Sequence, residues 1–306
     1  MNEAFAAVGL TVFERGWLSS NNILFNAVDA PPVLVDTGHC SHTEQTLALV
    51  GHALQGRPLA GVVNTHLHSD HCGGNAALNA QYGCSITIPA GEADKVARWD
   101  EDALTYKLTG QSCPRFAHTD VMNTGDPILL GTMPWRVMAS PGHDPESMVL
   151  YQPDTQILIS ADALWENGFG VVFPELEGES GFGDVRATLD LIGALPVRWV
   201  VPGHGAPFQD AGAALERAYR KLDAFIADPP RHARHAAKVL IKYHLMECHR
   251  MPLESLVQWM AGTKYFAVIN GVYFADVAVK EWAMTLLQEL LASKALARSG
   301  DLIEDA

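Results

Sequence analysis

The chain has 306 residues, 48% of them hydrophobic and 18% charged, with a formal net charge of −14. That is enough to fill one large α/β core, or a core and a smaller second unit. No stretch approaches the roughly 18 consecutive apolar residues of a membrane helix, and MNEAFAAVGLTVFERGW at the N-terminus has no basic segment followed by a long apolar one. The expectation is a soluble cytoplasmic protein without membrane span or secretory signal. The charge is uneven: residues 1–227 hold 12 basic against 26 acidic side chains, and residues 228–306 hold 9 of each. Such an acidic body lacks the counterion-release term that drives nucleic-acid binding. Cys40, Cys72, Cys84, Cys113 and Cys248 are an odd, scattered set without C-x-x-C spacing, read as reduced thiols.

In chain order, NNILF is a strand, and in PPVLVDTG the buried-strand run Val33 to Val35 ends at Asp36 and a turn. A helix is predicted from about Ser41 to Leu54, LAGVVNT is a short apolar strand, and GGNAALNAQYG is a helix with a glycine stop. CSITIPA is a further strand, while residues 98–118 show no clean period and read as an insertion over a site. DPILLG, WRVMASPGH, SMVLYQP and QILISAD are four consecutive strand candidates separated by turn residues. Residues 163–183 form a Gly- and aromatic-rich excursion, followed by a helix (DVRATLDLIGAL), a strand (VRWVVPGHG) and a long helix from about Ala211 to Ile226. Adjacent prolines in ADPPRHAR mark a boundary, giving one domain over residues 1–227 and a mostly helical one over 228–306.

THLHSDHCGG, residues 65–74, sets three histidines and an aspartate within six positions. Unpaired polar groups removed from water lose several kcal/mol of solvation, so this crowding calls for a cation. On an extended segment His66, His68 and Asp70 project to one side, and His71 follows from the turn into the helix, whose tight course Gly73 and Gly74 permit. Four donors exceed what one open tetrahedral zinc takes, so the motif anticipates two metals. The missing donors sit where apolar strands end: His143 in SPGHD, Asp162 in SADA and His204 in VPGHG. They sort into one site of His66, His68 and His143, a second of Asp70, His71 and His204, and Asp162 bridging both. Cys72 is read as packing under the turn. Of the other histidines, read as surface or partly buried, only His118 lies on a segment that could overhang the metals.

H-x-H-x-D-H followed by isolated His, Asp and His, at separations of 72, 19 and 42 residues from His71 onward, resembles the dinuclear hydrolases of the metallo-β-lactamase superfamily over residues 8–225. The resemblance implies an αββα sandwich, with two mixed sheets face to face, helices outside and the metals at one rim. It also implies that Asp36 helps hold the metal-binding loop. His68 stands where di-iron flavoprotein oxygen reductases have Glu, and Asp162 where zinc β-lactamases have Cys. Both departures point to a hydrolase with a carboxylate bridge and argue against β-lactam cleavage. Two divalent ions are expected, zinc first, with iron or manganese tolerated by the oxygen-rich donor set.

Water held between two such ions loses a proton near neutral pH and attacks a carbonyl whose oxyanion a metal stabilises. Asp70 is the candidate catalytic residue, orienting that nucleophile and shuttling its proton; no G-x-S-x-G elbow is present. Trp165, Phe169, Phe173, Tyr106 and Phe116 either line a substrate pocket or pack the two excursions together. MPLESLVQWMAG, a helical VAVKEWAMTLLQELLASKALARSG and DLIEDA resemble the small winged-helix appendage of one branch of the superfamily, with three helices and a following strand. Arg231, Arg234, Lys238, Lys242 and Arg250 make its first helix basic, yet the segment is neutral overall, and it is read as a cap or homodimerisation element.

The first functional expectation is hydrolysis of a small ester, thioester or lactone. The alternative is a metal-dependent ribonuclease acting on single-stranded RNA, which would need a basic track to the metals. A non-catalytic module of this fold would have lost ligands, and here the set is complete. Glyoxalase II is similar in metal pattern but holds glutathione with basic residues of its C-terminal helices, to which the Arg and Lys here do not map.

Overall fold

The computed structural model describes residues 3–306. Strands β1 (Leu10–Phe13), β2 (Asn22–Phe25), β3 (Val33–Val35), β4 (Gly61–Val63), β5 (Ser85–Pro89) and β6 (Asp120–Met122) form one sheet in that order, antiparallel up to β3 and parallel from β3 to β6. A second sheet runs β7 (Pro127–Leu130), β8 (Met133–Ala139), β9 (Met148–Gln152), β10 (Ile157–Ala161) and β11 (Trp199–Pro202), antiparallel except for the parallel β10–β11 pair.

Alternation along the strands sets the layers. Ile23, Phe25, Val35 and Val63 of the first sheet meet Val137, Leu150, Ile157, Ile159 and Val201 of the second in one core between the sheets. Their neighbours face outward, Leu24, Leu34, Val62 and Ile86 against helices Thr43–Leu54 and Asn75–Tyr82. On the other side Val149, Tyr151, Leu158 and Val200 pack against Phe182–Gly193 and Ala211–Ala227. The result is αββα. Strands β9 and β10 are buried at every position, which is why they read as unbroken apolar runs.

Residues 98–118 meet the expected overhang in part: Ala103, Leu104 and Thr105 line a small cavity together with His68 and His143. Leu104, Tyr106, Cys113 and Phe116 sink into the first sheet's outer core, so Tyr106 and Phe116 pack the loop and do not line the main cavity, and His118 does not reach it either. Only Thr109 and Gln111 of this segment face that cavity.

At the expected boundary the two prolines begin a helix instead of leaving a linker. Asp228 closes Ala211–Ala227 and caps Pro229–Cys248, whose first turn needs no N–H from proline. Helices Leu253–Gly262, Lys264–Tyr273 and Val279–Ala292 follow, with a small antiparallel sheet of β12 (Arg250–Pro252), β13 (Leu296–Ser299) and β14 (Leu302–Asp305) in the order β12-β14-β13. Residues 228–306 thus hold four helices and three strands, more than the three helices and single strand expected. Their core draws in Val171 and Leu176 of the 163–183 excursion. Among the described residues, no helix is long and apolar enough to cross a membrane.

Candidate metal centre

Two parallel strand pairs, β3–β4 of the first sheet and β10–β11 of the second, end at one rim. Asp36 follows β3, the His66–His71 segment follows β4, Asp162 follows β10 and His204 follows β11, while His143 lies in the turn between β8 and β9. The seven sequence-selected donors gather there in three overlapping groups: His66, His68 and His143; His66, His71 and Asp162; Asp70, His71 and His204, each with donor atoms within 4.8 Å of one another. Asp162 reaches both ends, its Oδ2 lying 3.3 Å from His143 Nε2 and its Oδ1 3.5 Å from His71 Nε2 and 3.8 Å from His204 Nε2. Ala161, at φ 45°, is left-handed without being glycine, and this local strain turns Asp162 off the end of its strand.

Local backbone differs from the extended i, i+2, i+4 reading. The chain leaves β4 at Val63, and Ser69–Cys72 is one helical turn, so Asp70 and His71 are presented by a helix. Gly73 and Gly74 have ordinary negative φ; they are required for close approach, since a Cβ on Gly73 would lie 2.4 Å from Cys40 N and one on Gly74 2.7 Å from Thr37 O.

Two of the imidazoles are turned by a hydrogen bond on the far side. His71 Nδ1–H donates to Asp36 Oδ2 at 2.8 Å, and His143 Nδ1–H donates to the Val171 carbonyl at 2.6 Å, leaving both Nε2 atoms to face the centre. His68 Nδ1 comes within 2.8 Å of that His143 Nε2. Such partners fix tautomer and ring orientation in metal-ligating histidines. Burial above all holds His68 and His143 down to a pKa of about 4 and His66 well below the usual value, so these three are neutral. Burial opposes charge on His71 too, but Asp36, Asp162 and Asp70 together raise its pKa well above the ordinary value. Burial likewise disfavours the Asp70 carboxylate, yet His71 and His204 bring it down to about 2.

A cation fits this arrangement. His66 Nε2 and His71 Nε2 are buried without a hydrogen-bond partner among the described residues. Buried polar atoms normally find partners, and unpaired ones cluster where an ion or water belongs. Five imidazoles and two carboxylates make an oxygen- and nitrogen-rich set suited to first-row divalent metals.

A cavity of about 700 Å³ opens from the donors toward the helical C-terminal region. Trp165, Phe169 and Phe173 line it, as one of the two sequence readings had it. Trp165 Nε1–H donates to Asp162 Oδ1 at 3.2 Å, and Phe173 sets its ring 5.1 Å from His68.

Several contributors carry no sequence signal of their own. Trp17 stacks on His204 at 5.4 Å and 7° between ring planes. Asn21 donates from its side chain to the Pro202 and Gly205 carbonyls, and Ser20 N donates to Asp70 O, tying the β1–β2 loop to two metal-site turns. His232 is not a surface residue: it is fully buried, held neutral at a pKa of about 3 mainly by burial, and its Nε2 accepts from Val172 N, next to the carbonyl that orients His143. His39 is also fully buried. Tyr243, from Pro229–Cys248, meets Ser69 Oγ at 3.0 Å. Cys72 is buried beneath the donor turn against Tyr106 and Cys113, and all five cysteines are free thiols.

The sequence profile of the metallo-beta-lactamase superfamily matches residues 15–204. Among curated proteins, a hydroxyacylglutathione hydrolase from Hyphomonas neptunium is 34% identical over 110 residues, 36% of each chain. An acyl-coenzyme A thioesterase, MBLAC2 from Bos taurus, is 28% identical over 186 residues, 56% of this chain and 63% of that one. These matches span between 36% and 63% of the relatives' lengths. The metallo-beta-lactamase family protein TTHA1429 from Thermus thermophilus superposes with a TM-score of 0.58 at 17% identity, covering 97% of this chain and 99% of that one. The profile matched over more than half of the length, on the αββα scaffold already described, means that the chain belongs to the metallo-beta-lactamase superfamily.

Proposed function

We propose that this protein is a metal-dependent thioester hydrolase, with two divalent ions, zinc foremost, held by His66, His68 and His143 on one side and by Asp70, His71 and His204 on the other, Asp162 bridging. The observation that carries this reading is the convergence of seven donors from distant parts of the chain on the edge of one cavity with an aromatic wall. When bound, the ions would activate a water and polarise the substrate carbonyl. The remaining work belongs to side chains. Asp70, ionised and 3.1 Å from His204 Nε2, orients the nucleophile and accepts its proton. The rings of Trp17, Trp165 and Phe173 exclude water and receive the acyl portion.

Relatives named as a hydroxyacylglutathione hydrolase and an acyl-coenzyme A thioesterase support the thioester over the ester and lactone. The ribonuclease reading is second. Arg234 and Lys238 pair with Glu289, and Lys242 pairs with Asp305, so the basic face of the first C-terminal helix is largely neutralised by its own domain. We take residues 1–227 as the catalytic domain and 228–306 as a cap on its cavity.

Metal analysis of the purified protein joined to a screen of acyl-glutathione, acyl-coenzyme A, aryl esters, lactones and single-stranded RNA tests the reading. Two metal equivalents with thioester turnover are expected, and His66→Ala is expected to abolish turnover with an unchanged circular dichroism spectrum. Cleavage of RNA alone would overturn the assignment.

A further inference from the structure

Among the described residues, one lysine of the cavity wall is left without an ion pair. Besides the donor histidines His68, His143 and His204, four basic groups line the cavity: Lys221, His235, Lys238 and Lys242. Lys238 and Lys242 are ion-paired to Glu289 and Asp305, and burial keeps His235 neutral, its pKa lowered to about 4. Lys221 has no carboxylate within ion-pair distance among the described residues, although Glu166 lines the same cavity.

Its position is built. Lys221 Nζ donates to the Phe169 carbonyl at 2.9 Å and stands 4.9 Å from the Phe169 ring centroid, 5.7 Å from that of Phe225 and 6.0 Å from that of Trp165. Gly168 closes over its stem, where a Cβ would lie 2.9 Å from Lys221 Cδ. Aromatic faces favour an ammonium, yet they do not replace a counterion: burial lowers the Lys221 pKa to about 8, so it is mainly charged at neutral pH in a place that disfavours charge. The same Trp165 ring that stands 6.0 Å from Lys221 Nζ donates through its Nε1–H to Asp162 Oδ1, so one indole neighbours both the lysine and the donor set.

We propose that Lys221 binds a carboxylate carried by the substrate's acyl portion, one indole away from the reacting carbonyl, so that the preferred substrates are thioesters of dicarboxylic acids. An ammonium has three donors, of which one is used by Phe169, leaving two for a single carboxylate. A phosphate dianion would need more neutralisation than one lysine supplies in a chain of net charge −14. The inference rests on the thioesterase reading for its chemistry, but not for its binding measurement.

The metal-loaded protein and its Lys221→Met variant are assayed on adipoyl and hexanoyl thioesters of one thiol, which differ only in the distal carboxylate. We expect Lys221→Met to raise KM for the adipoyl thioester about tenfold with kcat little changed, to leave hexanoyl hydrolysis within about twofold, and Lys221→Arg to retain the preference. Equal effects on both substrates, or none, would mean that Lys221 only packs the aromatic cluster. Quenching of tryptophan fluorescence by adipate and hexanoate supplies a readout without turnover: wild type should bind adipate about tenfold more tightly, and Lys221→Met should erase the difference. If neither thioester is hydrolysed but adipate keeps its Lys221-dependent advantage, the thioesterase reading fails and the anion site stands; equal binding of the two acids overturns the site.

Discussion

Asp36 and His71 are joined by a 2.8 Å hydrogen bond between Oδ2 and Nδ1, although they lie on different connections of the first sheet. The same carboxylate accepts from Thr65 N at 2.9 Å and from Thr65 Oγ1 at 2.8 Å, and Asp36 itself is left-handed at φ 56°. A single anion thus fixes both ends of the His66–His71 turn and aims His71 Nε2 at the centre. Asp36→Asn keeps the shape but offers one acceptor oxygen where two are used, and removes the charge that sustains His71 as a strong donor. Outer-layer partners of this kind are worth about 10- to 100-fold in metal affinity. We expect Asp36→Asn to lower affinity by that factor, measured by competition with a chelator; unchanged affinity would remove Asp36 from the metal-holding machinery.

Space at two glycines is as necessary as any donor. A Cβ at Gly170 would fall 2.4 Å from His143 Nδ1, and one at Gly203 would fall 2.2 Å from Asp162 Oδ1. Neither glycine needs an unusual backbone angle, so the damage should be confined to the ring and the carboxylate they adjoin. Gly170→Ala and Gly203→Ala are therefore expected to bind fewer than two metal equivalents while keeping a native circular dichroism spectrum. Full metal stoichiometry in either variant would show that the donors have more freedom than these contacts allow.

How far the site was legible follows from where its information lies. His66, His68, Asp70 and His71 could be found because four donors are adjacent in sequence, and His143, Asp162 and His204 because each follows an apolar strand in a position that sheets bring to one edge. Trp17, Asn21, His232 and Tyr243 could not be found this way. Their roles come from packing between elements far apart in sequence, and a lone tryptophan or asparagine in a loop carries no period or spacing. For Tyr106 and Phe116 the sequence left pocket lining and packing both open; they pack, because the irregular loop that holds them is anchored in the first sheet's outer core, a fact that local composition does not encode. Strands β1 and β6 were missed because neither is a buried apolar run: β1 is half-buried at three of its four positions, and β6 exposes two of its three residues.

Glu92, which lines a small cavity together with His68 and His143, makes stability depend on pH. Its carboxylate is buried, Oε1 accepts from Lys95 Nζ at 2.9 Å, and Oε2 has no partner among the described residues. Burial first and then Asp144 raise its pKa from 4.5 to about 7. A folded-state pKa above the unfolded one favours the protonated form, so Glu92 contributes fully below pH 4.5 and this contribution is lost as pH rises through 7. Glu92→Gln removes the ionisation. Relative to wild type, the variant should gain about 2 kcal/mol between pH 5 and pH 8, less than the full shift implies because the unfolded chain is already partly ionised at pH 5. Thermal unfolding at the two pH values decides it; an equal difference at both would mean that Glu92 is already ionised in the folded protein at pH 5.

Cys72 separates packing from ligation beside the donors. Its Sγ lies 3.3 Å from the His68 carbonyl, 3.2 Å from Tyr106 Oη and 3.7 Å from Cys113 Sγ, all beneath the donor turn, and burial pushes its pKa well above the ordinary thiol value. A protonated thiol is a poor metal ligand and serves as a small hydrophobe. Replacing it by alanine leaves a small void and unpairs the Tyr106 hydroxyl only partly, since that group also donates to Leu67 O at 2.8 Å. Cys72→Ala should therefore cost about 1–2 kcal/mol in denaturant unfolding while binding the same number of metal ions as wild type. Loss of a metal equivalent at unchanged stability would instead make the thiol a ligand and would require the donor set to be drawn again.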